Sequence, residues 1–175
     1  MRLARRGGGV PAEVLDRADL PRGEKVLASA ASVDDTWLLG TRVRLVIVGS
    51  SVTALSWERV EDAGWDQDER TLRITGVGEY GRPRPSYSFT MQDPALLLQL
   101  LRERVTASIV LQRRVPVRGQ LGIVVIGRRS PVGGPVTWMH AYDVGLDPAD
   151  PEVAAAAEQA LLEAQAEIGE PAERP

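Results

Sequence analysis

Between residues 24 and 91 apolar side chains recur at every second position, in short runs. From Pro94 to Arg104 they recur every three to four residues. A period of two puts alternate side chains on opposite faces of a strand, and a period near 3.6 puts them on one face of a helix. This switch predicts short antiparallel strands followed by one helix.

The strand runs read KVLASAA, TWLLGT, RVRLVIV, SVTALSW, RVEDAGW, TLRITGV and PSYSFTM. SVDD, residues 49–51, DQDER and GEYGRPRP separate them, with the Gly, Pro, Asp and Ser that turns prefer. TWLLGT and RVRLVIV read either as two strands or as one long strand bent at Gly40. In the second of these runs Val43, Leu45 and Ile47 alternate with Arg44, Val46 and Val48, which predicts one apolar face. Asp93 is placed to cap a helix over residues 94–104, with Pro94 at its first position and an apolar stripe of Leu96, Leu97, Leu100 and Leu101. Beyond it TASIVLQRRV, LGIVVIGRR and VTWMHAYDV predict a three-strand antiparallel meander. Asp150 and Pro151 open an alanine-rich helix over 151–168.

The expected class is α+β, mainly antiparallel β. Residues 1–22, rich in Gly, Pro and charge, read as a mobile arm. Residues 23–105 read as one domain, 106–169 as a strand–helix extension packed on it, and 170–175 as a disordered tail.

Trp37, Thr41, Leu45, Trp57 and Val60 stand in the segment TWLLGTRVRLVIV…SVTALSWERVEDAGWDQDERTLRIT. On these residues, and on the order of seven strands and a helix, the chain resembles bacterial pleckstrin-homology-like domains, in particular uncharacterised actinobacterial proteins of this type. The resemblance implies a bent barrel closed by its helix. Relatives that bind phosphoinositides carry basic residues between the first two strands. Here that loop is SVDD, and the carboxylates of Asp34 and Asp35 would repel a phosphate headgroup, so phosphoinositide is not an expected ligand.

Function classes narrow further. The chain contains no cysteine, so thiolate metal sites and a cysteine nucleophile are excluded. No run reaches the ~18–20 apolar residues of a membrane span, and no apolar run follows the basic head as in a signal peptide. A cytoplasmic protein is expected. His140 is the one histidine and shares a strand face with Trp138 and Tyr142. Asp143 falls on the opposite face, so the two are poorly placed to pair. Gly76-Val77-Gly78 is not followed by a helix, as a nucleotide-binding turn requires. Asp66, Asp68 and Glu69 lack the glycine and distal glutamate of a calcium loop and read as a solvated hairpin tip.

Charge is segregated. From 102 to 129 there are seven arginines and one acid; from 143 to 175 there are nine acids and one arginine. Arg113, Arg114, Arg118, Arg128 and Arg129 are therefore the candidate partner-binding residues, unless the acidic helix packs near them and neutralises them. Arg113 and Arg114, being adjacent, should point to opposite faces.

The expectation is a non-enzymatic binding or scaffolding module without cofactor or metal, engaging a protein partner through a sheet edge, the 78–85 loop or the 113–118 turn. The alternative is an anionic-surface or nucleic-acid accessory protein using the 113–129 arginines. A hydrolase-like enzyme built on His140 is the third reading. An exposed meander edge also permits homo-oligomers.

Overall fold

The computed structural model describes residues 9–78 and 84–169. The fold is α+β, with mainly antiparallel sheets and three α-helices among the described residues. The chain divides into two units, Met1–Arg104 and Val105–Pro175.

The first unit contains α1 (Ala12–Ala18), β1 (Val26–Ala31), β2 (Trp37–Thr41), β3 (Arg44–Val48), β4 (Val52–Ser56), a 3₁₀ turn (Trp57–Arg59), β5 (Val60–Asp66), β6 (Thr71–Gly76), β7 (Ser86–Thr90) and the start of α2 (Ala95–Ser108). β1 to β4 form one antiparallel sheet in chain order, and β5 to β7 form a second. TWLLGT and RVRLVIV are two strands, paired from Trp37↔Val48 to Gly40↔Leu45. The two sheets meet where Ser32 bridges Met91 and the Val33 amide donates to the Thr90 carbonyl at 2.9 Å. Trp57 is wholly buried, and its indole donates to the Thr41 carbonyl at 3.2 Å.

Both faces of β3 are buried, not one: Leu45, Val46, Ile47 and Val48 are at most 7% exposed. The cause is α1. Ala18, with Val10, Val14 and Leu20 beside it, packs on Leu39, Val46 and Val48. Residues 10–20 of the segment expected as a mobile arm thus cover the outer face of the first sheet. Each aliphatic side chain buried this way contributes roughly 1.5–3 kcal/mol. Residues 1–8 of that segment lie outside the described residues.

α2 buries Leu97, Leu100 and Leu101, while Leu96, expected in the same stripe, is 72% exposed. Gly40 allows α2 to approach β2: a Cβ there would stand 2.5 Å from Leu100 Cδ2. α2 also runs four residues beyond the expected end at 104. Its last turn is closed by the Ser108 hydroxyl, which donates to the Val105 carbonyl at 2.7 Å, and by Arg128.

The second unit holds β8 (Ile109–Arg118), β9 (Leu121–Arg128), β10 (Thr137–Tyr142) and α3 (Pro151–Glu167), with the sheet in the order β10-β9-β8. α3 lies on one face of this meander. Val153 and Ala157 pack with Ile123 and Leu146, and Ala160 and Ala164 pack with Val125. The Asp150 carboxylate caps the helix, accepting from the Glu152 amide at 2.9 Å. No helix among the described residues is long and apolar enough to cross a membrane. The expected disordered tail, 170–175, lies outside the described residues.

Candidate functional site

The five candidate arginines do not form one basic surface. Arg113 reaches α3, pairing with Glu163 at 3.2 Å and Glu167 at 3.7 Å. Arg114, on the other face, pairs with Asp143, whose carboxylate also accepts from the Gly122 amide at 2.8 Å. Arg114 and that amide hold the Asp143 carboxyl below its ordinary range. Arg118 clasps the start of α3, donating to Glu152 at 2.8 Å and Asp150 at 2.9 Å. Its guanidinium lowers the Asp150 carboxyl likewise. Arg128 is 4% exposed and so is no surface residue; its Nη1 donates to the Val105 carbonyl and the Ser108 hydroxyl, both at 2.9 Å. The Arg129 amide donates to the Ser108 carbonyl at 2.8 Å. The acidic helix of the sequence thus lies against the basic hairpin.

His140 sits beneath α3. Its Nε2 donates to the Ala157 carbonyl at 3.3 Å, and its ring centroid is 6.1 Å from that of Tyr142. Burial pushes the imidazole below its ordinary pKa. The strand row through it contains Val125 and Arg113, and Asp143 is turned to Arg114. A general base needs an orienting partner and room for a substrate; here the imidazole supports a helix.

The acidic hairpin tip is committed to its own turn. The Asp66 carboxylate accepts from the amides of Asp68 at 3.0 Å and Glu69 at 2.9 Å, and Arg73 pairs with Glu69 at 2.6 Å. In the SVDD loop the Ser32 hydroxyl donates to Asp34 and accepts from the Thr36 amide at 3.1 Å. The hydroxyl lowers the Asp34 carboxyl. No group of three or more potential metal ligands occurs among the described residues. Of the 78–85 loop, residues 79–83 lie outside the described residues.

One cleft was not legible as a motif. It encloses about 410 Å³ between the β5–β6 hairpin, which supplies Trp65, Gln67 and Arg70, and the start of α2, which supplies Gln92, Asp93 and Leu98. Its volume falls within the ~300–1,000 Å³ of ligand clefts. The backbone builds it in two steps. Arg70 adopts φ 50°, which ends the turn, and its carbonyl accepts from the Met91 amide at 2.9 Å, tying the hairpin to the residue before Gln92. The Pro94 carbonyl then accepts from Leu98 at 2.8 Å as the first bond of α2. Pro94, not Asp93, therefore stands at the cap, and the Asp93 carboxylate is left over. Among the described residues Gln67, Arg70, Gln92 and Asp93 have no hydrogen-bond or ion-pair partner for their side chains. The cleft joins positions some 25 residues apart, a juxtaposition that no local spacing announces.

No family model, no curated protein and no solved structure matches this chain.

Proposed function

We propose that the protein is a non-enzymatic cytoplasmic binding module whose first unit is a pleckstrin-homology-like domain and whose ligand is a segment of a partner protein, held in the cleft of Trp65 and Leu98. Support for the fold comes from the four-strand and three-strand antiparallel sheets, their corner at Ser32 and Met91, and the helix that follows with Leu97, Leu100 and Leu101 in its core. The observation that carries the function is the cleft itself: open, part apolar, and lined by polar side chains with no partner among the described residues. Carboxamides such as Gln67 and Gln92 both donate and accept, which suits the main chain of a peptide. A nucleic-acid role draws no support from Arg113, Arg114 and Arg118, whose charges meet carboxylates.

Selection of a displayed random-peptide library on the full chain tests the reading. Enriched peptides that no longer bind a Leu98→Arg variant support it. No enrichment, or binding that Leu98→Arg leaves unchanged, overturns it.

A further inference from the structure

Two opposite charges line the same cleft without meeting. Arg70 stands on the hairpin wall and Asp93 on the α2 wall. Among the described residues they form no ion pair with each other or with any other side chain. On the same hairpin Arg73, three residues from Arg70, pairs with both Asp66 and Glu69. In the second unit Arg113, Arg114 and Arg118 are likewise paired. Asp93 favours the positive end of α2, but that role asks nothing of Arg70 on the facing wall. Trp65 and Leu98 line the same cleft and supply apolar surface against which the stem of a long side chain can pack.

We infer that the cleft selects a peptide segment carrying one acidic and one basic side chain, the acid pairing with Arg70 and the base with Asp93. The inference rests on the protein-binding reading above and names the chemistry of its ligand. A ligand with a single charge leaves one wall facing its own counter-charge unmet. A ligand with the two charges reversed places like charges together at both walls, which is the stronger discrimination. The guanidinium offers a planar fork to a carboxylate, so the acid is held with the tighter geometry. An arginine or lysine on the ligand can cover Trp65 with its stem while its head reaches Asp93.

The test uses the same displayed library on the full chain, on Arg70→Glu, on Asp93→Lys and on the double variant. Both sites are exposed, and far-ultraviolet circular dichroism checks each fold; Arg70→Gln and Asp93→Asn replace any variant that fails. The expected result is enrichment of peptides with an acid and a base at a fixed spacing. Their affinity should fall about tenfold in each single reversal. The double variant should recover affinity for the same peptides with acid and base exchanged. Two results overturn the inference while leaving the protein-binding reading in place: enriched peptides without the acid–base pair that Leu98→Arg still abolishes, or paired peptides whose affinity is unchanged in Arg70→Glu and Asp93→Lys. A library that yields no binder overturns both.

Discussion

Arg128 on β9 donates to the carbonyl of Val105 at 2.9 Å from a position only 4% exposed, and so closes the C-terminal end of α2. The last carbonyls of a helix have no partner within it. A buried guanidinium supplies one here and also takes the Ser108 hydroxyl. The Arg128→Met variant keeps the volume but leaves that carbonyl and hydroxyl without this donor. It should cost about 1–3 kcal/mol in urea unfolding. Amide exchange over residues 105–108 should quicken with it.

A backbone clash should cost more than a side-chain clash. A Cβ on Gly122 would stand 2.6 Å from the carbonyl oxygen of Val115, whereas a Cβ on Gly40 meets the end of Leu100 at 2.5 Å. A leucine tip can rotate and a paired strand cannot. Gly122→Ala should destabilise by about 1–3 kcal/mol, and Gly40→Ala by less, when their denaturation midpoints are compared.

Glu24 ties β1 to the β2–β3 turn. Its carboxylate accepts from Arg44 at 2.6 and 3.0 Å and from the Thr41 hydroxyl at 2.6 Å. Arg44, and then Thr41, hold the carboxyl below its ordinary pKa of 4.5. A carboxyl lowered by folding stabilises the fold above the unfolded pKa and loses that contribution as pH falls through the folded one. Glu24→Gln should therefore cost about 1 kcal/mol at pH 7, allowing for solvent screening. The gap to wild type should close in urea titrations near pH 3.

His140 acts at higher pH. Burial holds the imidazole below 6.5, so the unfolded chain takes up a proton before the folded one does. The neutral side chain's contribution is complete above about pH 6.5 and falls away as pH drops from there to the folded value. Wild type should lose stability as pH drops below about 6.5, and His140→Gln should flatten that slope. With one histidine in the chain, the imidazole proton resonances report the pKa directly. A value at or above 6.5 would contradict the burial argument.

The start of α3 separates a cap from a surface pair. Asp150 accepts from the Glu152 amide and also pairs with Arg118. Asp150→Ala removes the cap and one ion pair, whereas Arg118→Ala leaves the cap and removes the exposed pairs with Asp150 and Glu152. Asp150→Ala should lower the thermal midpoint further, and 1 M NaCl should erase most of the Arg118→Ala effect.

Local chemistry accounts for much of what was legible in the chain. Alternation marked the strands, Asp150-Pro151 marked the start of α3, and the opposite facing of Arg113 and Arg114 followed from the pleat. The charge blocks showed that basic and acidic surfaces existed, and only the docking of α3 on the meander showed them meeting. β3 looked one-sided because the helix that covers its second face lies some thirty residues upstream, in a segment whose composition suggested an arm. α2 looked four residues too short because its final cap comes from Arg128, twenty residues on.

The period of the side chains by itself determined that the chain makes antiparallel strands and amphipathic helices, since a residue's face is set by its neighbours along the backbone. Tertiary structure alone decided which charges would be neutralised and which would be left free. Arg73 and Arg70 belong to one hairpin and read alike in sequence. The first meets Asp66 and Glu69, while the second opens onto Asp93 across a cleft. Pairing depends on distances through space, and those are fixed only when the hairpin and α2 come together around Met91.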